Sequence, residues 1–330
     1  MSNTVFSAVQ PSGVPTIANY VGAIKNWVNL QNEYDCIFSI ADLHTLTVKQ
    51  VPAELRARTL ELLALYIACG VDPEKCVLFV QSHVHEHAEL TWILNTITAV
   101  GEMQRMTQFK DKSLKHAENI NMGLMDYPVL MASDILLYNV QYVPVGADQK
   151  QHLEIARDLA MRFNARYSDT FIVPEPIIPK LGARVMSLQE PSSKMSKSDE
   201  NVNAFISMLD SPDDIIRKFR RAVTDSDSVV RYDEQEKPGI SNLMTIYSVF
   251  TGEDMDAIKA RFEGKGYGEF KQKVGEAVAE GLKPIQDKRA ELLADKTYLL
   301  SILKTGAEKA SSIAFRTLRK VYKKVGLLQL

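Results

Sequence analysis

"TVFSAVQPSGVPTIANYVGAIKNW" (residues 4–27) runs from an apolar strand pattern, through Pro-Ser-Gly-x-Pro, into an apolar stretch with helical spacing. Residues 4–9 read as a strand. From Ala18 to Tyr34 the spacing predicts a helix with Tyr20, Val21, Ile24, Trp27 and Val28 on one face. Gly13 between two prolines makes a tight strand-to-helix turn. No P-loop pattern can be written through it. Thr16 and Asn19, three apart, share a face where the helix begins. Two readings stand side by side: Thr16 as N-cap with Asn19 as a first-turn polar residue, or both side chains gathered with the helix-start amides around phosphate oxygens.

The same alternation continues outward. "CIFSIA" (36–41) is a buried strand, Pro52 opens a helix reaching about Cys69, and "CVLFVQS" (76–82) is a third strand, followed by a helical pattern from about His87. "YVPVGADQKQHLEIARDLAMRFNARY" (142–167) gives a short strand, a Gly turn and a helix with Leu153, Ala156, Leu159, Ala160 and Phe163 inward. Pro174, Pro176 and Pro179 mark an irregular crossover. Strands alternating with helices predict an α/β fold with a parallel, Rossmann-type sheet whose ligands sit at the carboxyl ends of its strands. Segments 213–222, 241–251, 255–263, 267–294 and 297–325 read as helices. The expected organisation is a catalytic domain over 1–200, with a mostly helical insertion at about 103–175, and a helical domain over 201–330 whose last helix packs back on the first domain.

Composition excludes several classes. The 330 residues are 45% hydrophobic and 24% charged with net charge −2, ordinary for a globular protein and without a basic excess, although a local basic patch is compatible with neutrality. Cys36, Cys69 and Cys76 are odd in number and form no C-x-x-C, so neither a disulfide framework nor a zinc ribbon is expected. No run approaches 18 apolar residues, and the expectation is a cytoplasmic protein with reduced thiols and no membrane partner. His83, His85 and His87 alternate, but they straddle a strand-to-helix junction and lack a completing ligand, so no metal site is expected there.

"KMSKS" (194–198) places two lysines among serines on a polar loop, which by itself is an ordinary solvated segment. Together with the opening turn it resembles the paired signatures of bacterial-type tryptophanyl-tRNA synthetases, class I enzymes in which "QPSG-x-x-T-x-x-N-Y" is similar to the HIGH motif and Thr16 and Asn19 stand where most class I enzymes have histidines. "MTQFKDKS" (106–113), "YPVLMASDILLY" (127–138), "VPVGADQKQH" (143–152), "GARVMSL" (182–188), "AVTDSD" (222–227) and "KPGISNL" (237–243) resemble the family too, so the likeness spans the whole chain.

The resemblance implies activation of L-tryptophan by ATP and transfer to tRNA(Trp) by a homodimer, with the 103–175 segment at its interface and an anticodon-binding helical domain. Mg²⁺ is expected on the ATP phosphates, without protein-bound zinc or an iron–sulfur cluster. It implies that Lys194, Lys197 and Lys110, with Thr16 and Asn19, serve the reacting phosphates. The nucleotide would lie on Gln10, Pro11, Ser12, Ala18, Asn19, Gly146, Ala147, Asp148, Val185 and the loop Lys194, Met195, Ser196, Lys197, Ser198. Asp148 also reads as the N-cap of its helix. Asp134, otherwise a capping or ion-paired carboxylate, would accept the indole N–H. Phe6, His44, Met131, Val143 and Val145 would wall the pocket, and Tyr127 and Gln149 would hold the α-ammonium.

Four residues near this site depart from the family pattern: Ala18 and Ala8 where glycine is usual, Leu43 for Gln and Ala147 for Glu. Three rivals are a tyrosine-specific enzyme, a silent paralogue and a small-molecule nucleotidyltransferase. The first usually carries a further C-terminal RNA-binding region, the second would not need both lysines with Thr16, Asn19 and Asp134, and the third would not need the helical C-terminal part.

Overall fold

The computed structural model describes residues 3–106, 120–146, 150–177, 184–197 and 199–329, with side chains from Leu153 onward in the helix that begins at Lys150. Five parallel strands form one sheet: β1 (Thr4–Val9), β2 (Asp35–Ile40), β3 (Val77–Val80), β4 (Tyr142–Pro144) and β5 (Glu175–Ile177), in the order β3-β2-β1-β4-β5. β1 pairs with β2 from Thr4↔Asp35 to Val9↔Ile40, and Val5 meets Tyr142 on its other side. Alternation along β1 sends Val5 into one apolar layer, with Trp27, Phe38 and Leu63, and Phe6 into the other, with Phe79, Ile135 and Val143.

The described helices are α1 (Ile17–Asn19), α2 (Lys25–Leu30), α3 (Pro52–Ala68), α4 (Glu86–Asn95), α5 (Val100–Arg105), α6 (Met122–Leu136), α7 (Lys150–Arg166), α8 (Pro212–Arg220), α9 (Pro238–Thr251), α10 (Met255–Arg261), α11 (Tyr267–Ala294) and α12 (Lys296–Val325). Two sequence expectations need revision. The segment predicted as one helix from Ala18 to Tyr34 is instead α1 and α2 joined by a π-helical turn over Tyr20–Ile24, ending at Leu30, and Tyr20 and Val28 are only half-buried. The proline-rich crossover contains β5, on whose outer edge Pro176 costs no ladder hydrogen bond. In α7, Leu153, Ala156, Leu159, Ala160 and Phe163 are all buried as their spacing predicts.

α8 to α11 share an apolar core with the start of α1 and with α3: Phe219, Ile240, Tyr247, Phe270 and Leu282 join Ile17, Val21 and Leu65. Two of the quoted family stretches meet in this half, where the buried Lys237 ammonium bonds Asp225 at 3.2 Å, Asp227 at 2.7 Å and the Tyr267 hydroxyl at 2.9 Å. The last helix, α12, lies against the edge strand β3. Its inward positions are small where it crosses (Gly306, Ala310, Ala314), and a Cβ on Gly306 would sit 1.7 Å from the Leu78 carbonyl oxygen. Ser311 donates to the buried Glu86 at 2.9 Å, and Asn139 donates to Thr317 at 3.1 Å, so α12 is stitched to α4 and to the end of α6. An edge strand covered in this way cannot template pairing with another chain.

Gly306→Ala therefore forces helix and strand apart, with an expected cost of about 1–3 kcal/mol. The control is Gly268→Ala in the exposed first turn of α11, where nothing lies within 4 Å of a new Cβ, and an expected gain of about 0.5–1 kcal/mol follows from the stiffer unfolded chain. Thermal melts that move both variants in the same direction would contradict the close crossing.

Candidate active site

Strand order reverses at β1, so the crevice for a ligand opens between the carboxyl ends of β1 and β4. After β1 come half-buried Gln10, buried Pro11 and exposed Ser12. Gly13 follows with φ +137°, a backbone conformation that a residue with a side chain rarely adopts. Thr16 then caps the helix in extended conformation. Its hydroxyl accepts from the Asn19 N–H at 3.4 Å, and the Asn19 side-chain oxygen accepts from the Thr16 N–H at 3.0 Å and from the Thr16 hydroxyl at 3.2 Å. This reciprocal box realises the capping reading of both residues. Asn19 stays exposed, so its role as a cap does not exclude contact with a phosphate. The turn is pinned from the other half of the chain: Ile17 N–H donates to Ile206 O and Met208 N–H to Pro15 O, each at 3.0 Å.

The KMSKS segment folds back on residues 185–187. Met195 N–H donates to Val185 O at 3.2 Å, Ser187 N–H to Ser193 O at 2.8 Å, and Met186 pairs with Lys194 in an antiparallel bridge. Asn242 of α9 brackets Met186, accepting from its N–H at 2.8 Å and donating to its carbonyl at 3.0 Å. Val185 and Met195 are buried in the cluster that holds Ile17 and Ala18, which locks this segment onto the opening turn. Lys194 and Ser196 are exposed, whereas the Lys197 stem passes over Gly13, 3.9 Å from where a Cβ would be. Burial, and secondarily the positive charge of Arg58 on α3, lowers the Lys197 ammonium pKa to about 8.

Across the crevice, α6 carries Asp134, which is buried and still ionised. His44 Nε2 lies 2.9 Å from Oδ2, while Gln81 Nε2 donates to Oδ1 at 2.7 Å and His87 Nδ1 lies 2.6 Å from the same oxygen. Burial is the largest single influence and alone would raise the carboxyl pKa. The charges and hydrogen bonds of His87 and His44 outweigh it and hold the group at about 2. A carboxylate accepts at about four lone-pair positions, so three donors leave one place. Phe6, Val143 and Val145 are buried together, with Met131 packed on them, and Phe6 stacks on Tyr138 at 5.6 Å. Tyr127 meets His44 edge-on at 6.4 Å. Gly146 is exposed where β4 ends. Buried apolar residues with a charged acceptor thus stand at the same carboxyl edge of the sheet as the Gly13 turn, over which Lys197 passes.

The sequence profile described as "tRNA synthetases class I (W and Y)" matches residues 1–283. The chain belongs to this synthetase family. It is 56% identical to the tryptophan–tRNA ligase of Clostridium tetani over 325 residues, covering 98% of this chain and 96% of that one. Among solved structures, the tryptophanyl-tRNA synthetase of Mycoplasma pneumoniae superposes with a TM-score of 0.92 at 34% identity, covering 99% of each chain. The Campylobacter jejuni enzyme complexed with ADP and tryptophan gives 0.84 at 36% identity, over 98% of this chain and 100% of that one.

The structure brings Ala18 together with Val185 and Met195, sets Lys197 over Gly13, and brings His44 together with Asp134 and Tyr127. Lys110, Ala147, Asp148, Gln149 and Ser198 lie outside the described residues. Asn139 alone among the described non-glycine residues has a positive φ, so Ala18 fits its helical place without backbone strain. Ala8 packs at the edge of the Phe6 cluster, and Leu43 donates its N–H to Gln81 Oε1 at 3.1 Å. Sequence reasoning missed Gln81, His87 and Asn242. Gln81 stands at the carboxyl end of a strand, the one available signal. The alternating histidines diverge, His87 turning in to Asp134 and exposed His85 facing Glu86 and Glu89.

Lys197 is expected to lose its proton as pH rises through about 8, far below the ordinary lysine range. Competitive acetylation read by mass spectrometry should give a labelling midpoint near there, and Arg58→Gln should move it upward. A midpoint matching that of exposed lysines would refute the assignment.

Proposed function

We propose that the protein is a tryptophan–tRNA ligase: it joins L-tryptophan to ATP as tryptophanyl-adenylate with release of pyrophosphate, then passes tryptophan to the 3′-terminal adenosine of tRNA(Trp). The observation that carries this reading is the Asp134 carboxylate, held ionised in an apolar slot with one acceptor place left, on a chain 56% identical to a tryptophan–tRNA ligase. The indole nitrogen only donates, so an ionised acceptor suits it. A phenylalanine ring leaves that buried charge short of a partner, which supplies the basis for rejection.

In the first step a tryptophan carboxylate oxygen attacks the α-phosphorus, and the bond to the bridging pyrophosphate oxygen breaks. Such in-line transfer asks for alignment and charge neutralisation rather than a covalent nucleophile on the protein. The turn carrying Gln10, Pro11, Ser12, Thr16 and Asn19 aligns the triphosphate at the start of α1, with Ala18, Gly146, Ala147, Asp148 and the Val185 backbone around the nucleoside. Lys194 and Lys197, with Lys110, meet the charge that develops on leaving pyrophosphate. Mg²⁺ enters on the ATP phosphates as part of the substrate. Phe6, His44, Met131, Val143 and Val145 enclose the indole, while Tyr127 and Gln149 hold the ammonium. The 2′-hydroxyl of the terminal adenosine then attacks the adenylate carbonyl, and AMP leaves.

The anticodon is read by the helical half after residue 201, in the cytoplasm. A homodimer is supported by the apolar surface on and beside the 103–175 segment: Trp92 is 72% and Met122 70% exposed, with Val100 and Ile120 also open.

ATP–pyrophosphate exchange with each of the twenty amino acids should be driven by tryptophan alone and should fall by at least about 100-fold in Asp134→Ala, as expected for loss of a charged hydrogen-bond partner. Exchange driven by tyrosine, or none, would overturn the reading. Trp92→Glu should shift sedimentation from dimer toward monomer. A parent protein that sediments as a monomer would remove the dimer from the proposal.

A further inference from the structure

The two oxygens of Asp134 are treated differently. Oδ2 takes His44, which belongs to the apolar slot, whereas Oδ1 takes Gln81 from the turn after β3 and His87 from the first turn of α4. Gln81 and His87 are completely buried. Each is fixed at its far end as well. Gln81 Oε1 accepts from the Leu43 N–H at 3.1 Å, and His87 Nε2 lies 2.8 Å from the Tyr138 hydroxyl. Burial, then Asp134 and Glu86, keeps the Tyr138 phenol protonated, and the Asp134 carboxylate can only accept, so His87 Nδ1–H donates to it. Ser133, beside Asp134 on α6, donates to the His87 carbonyl at 2.8 Å, tying the two helices together at this point. Rotation of a carboxylate about its last bond is otherwise soft. Two donors on a single oxygen remove that freedom.

We propose that Gln81 and His87 are positioning residues that clamp Oδ1 of Asp134 and so present Oδ2 as the acceptor by which an aromatic N–H is selected. This rests on the reading of Asp134 as the indole acceptor. Discrimination by a buried acceptor depends on its being unable to find another partner when the ligand lacks a donor. A clamped carboxylate cannot turn away, so a ligand without the N–H bears the full cost. Released from either donor, the carboxylate can turn, and part of that cost disappears. Tyr138, which supports His87, also stacks on Phe6, so the clamp and the pocket wall share one side chain.

The test compares L-tryptophan with β-(benzothiophen-3-yl)alanine, which has sulfur in place of the indole N–H, in ATP–pyrophosphate exchange by the full chain. The parent ratio of kcat/KM is expected on the order of 10⁴. Gln81→Met and His87→Leu should each lower it tenfold or more, chiefly by lowering KM for the benzothienyl analogue. His87→Asn, whose amide can donate from the place of Nδ1, should recover most of it. The acid limb of kcat/KM for tryptophan should also move to higher pH, because the carboxyl loses a donor that holds its pKa low while burial still pushes it up. An unchanged ratio and acid limb in folded Gln81→Met overturns the clamp, whether or not His87→Leu folds. Asp134→Ala separates the two levels. If it keeps the parent ratio, the assignment of Asp134 to the indole fails and the clamp with it; if it loses the ratio while the clamp variants keep theirs, the clamp alone fails.

Discussion

A carboxylate with almost no access to water has to remain charged, and the architecture around the slot follows from that requirement. Asp134 draws its donors from three separate places: the short 3-10 turn after β2, the turn after β3 and the start of α4. Those places lie close together because parallel strands deliver their carboxyl ends to one edge of the sheet. Removing one donor leaves the others facing a less satisfied charge, which in an interior costs more than an ordinary hydrogen bond contributes. The α6 helix is therefore placed by chemistry as well as by its apolar face. Leu136 and Val129 pack on the core, and Asp134 fixes the rotation of the helix against β2 and β3.

The sequence made local features legible and long-range partners illegible, for a physical reason. β1 matches its expected bounds because alternation and the proline-glycine turn are both local signals. Thr16 as a cap followed from a three-residue spacing. β5 escaped because its prolines argue against a strand, and only its place at the sheet edge makes them harmless. The π turn after α1 escaped because a single extra residue per turn hardly disturbs apolar spacing. The expectation that Asp134 is a capping or ion-paired carboxylate needed only its neighbours, but its donors sit 90, 53 and 47 residues away in the chain. Spacing along the chain carries no information about such partners. Asn242 is the same case, a side chain in the helical half that completes the backbone pairing of Met186.

Asn242 also shows that the two halves do not make separate sites. The KMSKS segment is paired to residues 185–187, those residues are held by α9, and the cluster beneath contains Ile17 and Ala18 from the opening helix. α12 closes the circuit by crossing β3 at Gly306 and bonding Glu86 next to His87. A displacement of the helical half would be felt at both signatures and at the slot. This geometry suits a protein whose substrates are a small amino acid, a nucleotide and a long RNA.

The charge pattern at the opening turn bears on what that turn holds. Lys197 is half-buried over Gly13, and the charge acting on it is another cation, Arg58. Burial and a like charge both disfavour the ammonium, so the fold carries a cost there that no group among the described residues offsets. A depressed lysine of this kind weakens folding most at pH below its folded value, and the cost fades as pH rises toward the ordinary lysine range. An anion held by Lys197 at the opening turn reverses the balance, since it draws the pKa upward and is bound more tightly for doing so. Linkage then requires the affinity for that anion to fall as pH rises through about 8. The glycine at φ +137°, the reciprocal cap and the half-buried lysine are the features on which the proposed phosphate site, built without a P-loop, rests. Its attraction is strongest for a ligand carrying several charges, which distinguishes a triphosphate from the monophosphate left after reaction.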